Sequence, residues 1–120
     1  MIKKKILIVE DVINEQILYK EELEKEGFEV SCVSNGIEAI EFVEKNLCDL
    51  VILDLHMPKM DGIETLGKLL TKKRNLPIVI YTAYPQYREQ FLTWAADAYL
   101  IKNSDIDLLK NKVKDILSEK

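Results

Sequence analysis

Val51-Ile52-Leu53-Asp54-Leu55-His56-Met57-Pro58-Lys59-Met60-Asp61-Gly62 decides how the rest of the chain is read. It opens with apolar, β-branched residues that predict a buried strand. A single carboxylate, Asp54, follows where that strand should end. The Met-Pro-x-Met-Asp-Gly segment beyond it is turn chemistry and cannot continue the strand. A carboxylate bordering an apolar run needs something positive within reach to stay charged.

Other strands are predicted on either side of this one. Lys5-Ile6-Leu7-Ile8-Val9 is a continuous apolar run, suited to a strand covered on both faces, and Glu10 and Asp11 end it. Phe28 to Val33, Pro77 to Tyr81 and Ala98 to Ile101 read likewise, the last two ending at Thr82 and Lys102. Helices are predicted between the strands. The first runs from about Val12 to Glu26, with apolar Ile13, Ile17, Leu18 and Leu23 fitting the helical period only loosely and Gly27 as its stop signal. The second follows the Ser34-Asn35-Gly36 turn, with Ile37, Ile40, Val43 and Leu47 at helical spacing. The third spans about Gly62 to Lys73, with Ile63, Leu66 and Leu70 inward, and a fourth spans about Gln86 to Trp94. Ser104 and Asp107 resemble a capping box for a last helix whose inner stripe is Leu109, Val113, Ile116 and Leu117. Five strands alternating with five helices predict a doubly wound α/β sheet with right-handed crossovers. Ligands in such sheets bind beyond the carboxyl ends of the strands.

The chain has 120 residues, enough for one domain, and a net charge of −4. That balance offers no basic footprint for nucleic acid. Ile6 to Val9 is too short for a membrane span or a signal peptide, so the cytosol is the expected location. Cys32 and Cys48 show neither metal spacing nor a disulfide framework. With no repeat or linker, residues 1–120 are expected to be a single domain without a second, output domain.

Four of the five strands end in a group able to do chemistry: Glu10 with Asp11, Asp54, Thr82 and Lys102. Singly, an acid at a strand end is a helix cap and a lysine is a solvated charge. At matching ends of a parallel sheet they share one edge. Two like charges about 4 Å apart repel by roughly 4 kcal/mol at an effective dielectric near 20. A divalent cation relieves this, and hard carboxylate oxygens suit Mg²⁺. Such a metal can bridge a carboxylate and a phosphoryl oxygen, and an Asp carboxylate is a known nucleophile for phosphoryl transfer. Lys102 and the Thr82 hydroxyl can take the phosphoryl oxygens. No Gly-x-x-x-x-Gly-Lys-Ser/Thr loop, no Gly-x-Gly-x-x-Gly and no Cys/His cluster competes with that reading. His56 reads as lining the entrance, with its backbone carbonyl the useful part.

These residues together resemble the receiver domain of two-component response regulators. The resemblance is carried by Glu10-Asp11, by Leu53 to Gly62, by Thr82-Ala83 and by Ala98-Tyr99-Leu100-Ile101-Lys102. It implies a flavodoxin-like parallel sheet in the order 2-1-3-4-5 flanked by five helices. It implies phosphorylation of Asp54 by a sensor histidine kinase, a phosphotransfer protein or acetyl phosphate. Mg²⁺ would be held by Glu10, Asp11, Asp54 and the His56 carbonyl. Thr82 and Lys102 match the phosphoryl-contacting groups, and Tyr99 matches the aromatic switch residue. Phosphorylation would remodel the face of the fourth helix, fifth strand and last helix for a downstream protein target or a homodimer. His56 and Tyr84 fall at positions that flank the water route to the phosphoryl group, so a bulky Tyr84 is expected to slow hydrolysis.

The sequence departs from the family pattern at Asn103, where Pro with a cis bond is usual, leaving either a strained cis bond or a reshaped loop. It departs again at Trp94-Ala95, where a small residue and Gly are usual. Tyr84, Tyr87, Phe91 and Trp94 pack inward or form a contact patch. Two further classes stand beside the phospho-acceptor switch. One is a degenerate receiver that docks or dimerises without phosphorylation. The other is an aspartyl-phosphate phosphohydrolase, an enzyme that would need a second Asp as acid/base; Asp61 reads as part of the turn instead.

Overall fold

The computed structural model describes residues 3–55, 62–73, 75–83, 95–102 and 105–118. Its five strands are β1 (Lys5–Val9), β2 (Glu29–Val33), β3 (Leu50–Leu53), β4 (Ile78–Thr82) and β5 (Ala98–Ile101). All pair in parallel, in the order β2-β1-β3-β4-β5. Four helices stand among the described residues: α1 (Ile13–Lys25), α2 (Gly36–Lys45), α3 (Gly62–Lys72) and α4 (Asp107–Ser118). The helix expected at Gln86 to Trp94 lies outside them, as do His56, Tyr84, the aromatic set of Tyr84, Tyr87, Phe91 and Trp94, and the Lys102–Asn103 bond.

The sheet is buried on both faces, which is why its central strands are apolar throughout. Ile6, Ile8, Ile52, Val79 and Tyr81 pack on one side with Tyr19 and Leu23 of α1 and Leu109, Val113 and Leu117 of α4. Leu7, Val9, Val51, Leu53, Ile78 and Ile80 pack on the other with Ala39 and Val43 of α2 and Leu66 and Leu69 of α3. Alternate residues of each strand therefore feed two separate cores.

Two helix faces differ from the sequence reading. In α1, Ile13, Ile17 and Leu18 are 57%, 50% and 48% exposed, and of the apolar positions named only Leu23 is buried, beside Tyr19. In α2, Ile37 faces solvent, as does Leu47 beyond the helix end, whereas Ala39 is fully buried. In α3, Ile63, Leu66 and Leu70 face the core as read, with Leu66 fully buried beside Thr65 and Leu69. Apolar spacing alone marked these stripes, but a helix laid across a twisted sheet buries whichever residues its crossing angle turns inward, small or polar-tipped ones included.

The helix ends are set by local chemistry. Gly27 has φ +96°. Its N–H donates to Glu24 O (3.0 Å) and the next N–H, of Phe28, donates to Leu23 O (3.4 Å), a Schellman closure of α1. Asn35 Oδ1 accepts from Glu38 N at 3.0 Å and caps α2, while Glu38 Oε1 accepts from Ser34 N. At α4 the Asp107 N–H donates to Asp105 Oδ1 (3.0 Å). The expected cap, Ser104, lies outside the described residues.

Candidate functional site

Register fixes where the chemical groups stand. Val9 is level with Leu53, Leu53 with Ile80, and Ile80 with Tyr99, so one row crosses four strands. Glu10 and Asp54 each follow that row by one residue, Thr82 by two and Lys102 by three. Backbone bonds continue the sheet past its last paired residues: Glu10 N to Val33 O (3.0 Å), Asp54 N to Val9 O (3.1 Å) and Lys102 N to Thr82 O (2.7 Å). The four expected groups therefore share the carboxyl edge of the sheet.

One cation dominates this edge. Lys102 Nζ donates to Glu10 Oε1 (2.6 Å), Glu15 Oε1 (2.6 Å) and Asp54 Oδ2 (2.9 Å). Glu10 and Asp54 are buried, with side chains only 1% and 8% exposed. To meet Asp54 the lysine crosses two strand spacings, about 10 Å, from edge strand β5 to β3. Its stem is covered, and Nζ stands 5.9 Å from the centre of the Tyr19 ring. Tyr19 packs edge-on against Tyr81, with ring centroids 5.3 Å apart, and donates its hydroxyl to Glu15 Oε1 (2.9 Å).

Burial pushes the Glu10 carboxyl up to about 7, against the lowering effect of Lys102 and with Asp54 adding to the rise. Burial also opposes the charge on Lys102, but its bonds to Glu10, Glu15 and Asp54 outweigh that and hold the ammonium well above its ordinary value. Burial likewise works against the Glu15 carboxylate, and its bonds to Lys102 and Tyr19 overcome it, leaving Glu15 below the usual range. In all three groups burial opposes the charged form and the Lys102 bonds favour it; burial prevails at Glu10, the bonds at Glu15 and Lys102.

Glu10, Asp11 and Asp54 each offer a carboxylate oxygen, and these oxygens lie within 4.8 Å of one another. Oxygens bound to one Mg²⁺ at about 2.1 Å stand about 3–4 Å apart, so a small contraction closes this set around such an ion. Asp11, half-buried, leaves the set open to solvent. Glu10 is further anchored by Val12 N, which donates to its Oε2 (3.1 Å). The Gln16 amide donates to Glu10 O and Ser34 Oγ, pinning the β1–α1 loop to the β2–α2 loop. Gly62 closes the far side: its N–H donates to Leu55 O (3.1 Å), and a Cβ there would stand 2.1 Å from Leu55 Cα.

Glu10, Asp11, Asp54, Thr82 and Lys102 thus stand together as expected. Thr82 is fully buried. Tyr99 is half-buried and packs against the core on the α2/α3 side. Sequence reasoning missed Glu15 and Tyr19. The signal for them is slight: an acid in the first turn of a helix with a tyrosine four residues later.

The comparisons with known proteins agree with this architecture. Residues 6–114 match the family model for the response regulator receiver domain. The chain is 36% identical over 119 residues to sporulation initiation phosphotransferase F of Bacillus subtilis, covering 98% of this chain and 96% of that protein. Other relatives are longer; the chain spans only 26% of the transcriptional regulatory protein ZraR of Klebsiella oxytoca. Among solved structures it resembles the response regulator protein TrrA of Thermotoga maritima in complex with Mg²⁺-BeF. The TM-score is 0.91 and the identity 43%, over 94% of this chain and 98% of that one. The same regulator bound to histidine kinase ThkA gives a TM-score of 0.89 and 44% identity, over 95% and 98%. A 2-1-3-4-5 parallel sheet with acids after β1 and β3 and a lysine after β5, matched over nearly the whole chain, means that this protein belongs to the response regulator receiver domain family.

Proposed function

We propose that the chain is a single-domain phospho-acceptor switch, residues 1–120, that receives a phosphoryl group on Asp54. The observation that carries this is the setting of Asp54: buried at the mouth of β3, bonded to Lys102, and clustered with Glu10 and Asp11. In the transfer an Asp54 carboxylate oxygen attacks phosphorus. The donor's bond from phosphorus to its leaving atom breaks, and that electron pair departs with the leaving group. An ionised carboxylate needs no base to remove a proton. Lys102 orients the acceptor and meets the charge gathering on the phosphoryl oxygens. Mg²⁺ held by Glu10, Asp11 and Asp54, with the His56 carbonyl as a further ligand, would neutralise those oxygens.

The natural donor is a sensor histidine kinase or a phosphotransfer protein, as the pairing of TrrA with ThkA suggests. Val12, Ile13 and Ile17, exposed at the start of α1 beside the acidic cluster, offer such a donor an apolar surface. Thr82 and Tyr99 then carry the change to the face of β5 and α4, where a protein target or a second copy binds. Tyr84 slows water reaching the phosphoryl group on this reading. No external substrate is turned over, so the protein is a signalling module rather than an enzyme, and it works in the cytosol. Among the described residues no helix is long and apolar enough to cross a membrane.

The test is intact-mass measurement after incubation with acetyl phosphate and Mg²⁺. One added phosphoryl group, blocked by EDTA and absent from Asp54→Asn, is the expected result. A wild-type protein that stays unmodified, with the fold intact and Mg²⁺ bound, overturns the proposal.

A further inference from the structure

Lys102 has no donor to spare. An ammonium carries three N–H groups, and here all three are taken, by Glu10, Glu15 and Asp54. A phosphoryl oxygen on Asp54 therefore gains Lys102 only if one of those bonds gives way. The three are unequal. Asp54 is the acceptor residue itself. Glu10 is buried and doubly held, by Lys102 and by Val12 N. Glu15 is the exception: its side chain is 35% exposed, and it stands outside the acidic cluster. Water can replace the lysine there at least cost.

We infer that Glu15 is a positioning residue that parks the Lys102 ammonium in the resting state and must release it when the phosphoryl group arrives. The inference rests on the phospho-acceptor reading of Asp54. Tyr19 keeps the parking place formed, because its hydroxyl holds the same Glu15 oxygen that the lysine uses. The first turn of α1 fixes the carboxylate further, since the helix N-terminus favours negative charge there. Glu15 thus opposes phosphorylation, although every other acidic group of the site serves it.

Glu15→Gln keeps the size and a weaker, uncharged acceptor. A hydrogen bond to a charged group exceeds a neutral one by enough to change an equilibrium about three- to tenfold. Glu15→Gln is therefore expected to take up phosphoryl groups from subsaturating acetyl phosphate about three- to tenfold faster than wild type. It is expected to bind beryllofluoride, with Mg²⁺, tighter by a similar factor. Glu15→Asp keeps the charge but withdraws the oxygen from Nζ, and is expected to behave like Glu15→Gln. Urea midpoints accompany each measurement, because a merely structural role predicts lower stability with slower uptake.

Equal or slower uptake by a folded Glu15→Gln, beside a wild type that is phosphorylated, overturns the inference alone. Glu15→Asp matching wild type while Glu15→Gln is faster also overturns it, because the effect would then come from charge at a distance. A wild type that takes neither phosphoryl group nor beryllofluoride removes the phospho-acceptor reading and this inference together.

Discussion

Replacing Lys102 with Met tests the electrostatics of the site directly, because methionine keeps much of the stem and removes only the cation. In the absence of metal, that cation is the partner of two buried carboxylates, Glu10 and Asp54. Removing one member of a buried ionic group costs about 3–5 kcal/mol. The bond to Glu15, which is 35% exposed, adds no more than about 1 kcal/mol. With a urea slope of about 2 kcal/mol per molar, the unfolding midpoint at pH 8 in EDTA should fall by about 1.5–3 M. Mg²⁺ should act in the opposite sense on the variant. At about 5 Å and an effective dielectric of 20, an ammonium and a divalent cation repel by about 6–7 kcal/mol before screening. Retaining only a fifth of that makes Mg²⁺ binding to Lys102→Met about tenfold tighter than to wild type. Urea unfolding across a Mg²⁺ titration reads both effects, because a ligand bound only to the native state raises its stability with concentration. The gap between the two proteins should narrow as Mg²⁺ rises. A variant as stable as wild type in EDTA, or a gap that Mg²⁺ leaves unchanged, would refute the reasoning.

Two further predictions concern the groups around that lysine. The Glu10 carboxyl, near 7 when folded and close to 4.5 when unfolded, binds its proton more tightly in the native state. Its contribution to stability is therefore complete below about pH 4.5 and is lost as pH rises through about 7, by about 3 kcal/mol in the absence of metal. Unfolding in EDTA should show a more stable protein at pH 5.5 than at pH 8, and Glu10→Gln should flatten the difference; a wild type that gains stability over this range contradicts the assignment. Gly62→Ala would drive a Cβ to within 2.1 Å of Leu55 Cα, next to Asp54, so the backbone must move by more than 1 Å. The expected loss is at least about 2 kcal/mol, with slower uptake of phosphoryl groups, and an unchanged melting temperature would show that the turn absorbs the methyl freely.

The strands and the edge chemistry were legible because both rest on sequence-local signals. Ile6 to Val9 and Val51 to Leu53 are apolar without interruption, and a parallel sheet asks for that on both faces. Glu10, Asp54 and Lys102 each follow the last residue of a strand, so once the strands are parallel their meeting is a matter of register. The helix faces were less legible. Ile13 and Ile17 fit helical spacing only loosely and Ile37 stood in an amphipathic stripe, and all three face solvent, because which side of a helix meets the sheet depends on packing angle as well as spacing. Glu15 escaped notice for a different reason. It is 87 residues from Lys102, and at the start of a helix an acid is ordinary for local reasons alone. The Lys102 bond to Glu10 likewise needs the side chain to pass two neighbouring strands, which register indicates only after the strand order is known.

The 92-residue separation between Glu10 and Lys102 has a consequence for how the protein comes into being. Synthesis runs from the amino end, so the acids after β1 and β3 leave the ribosome well before the lysine after β5. A nascent chain extended only through β4 has its buried carboxylates in hand and lacks their shared cation. Closing the last strand onto the edge of the sheet brings in that charge and completes the cluster in one event. On the proposed function, competence to be phosphorylated would wait for that last strand, and a chain truncated before Lys102 would lack the cation that Glu10 and Asp54 share.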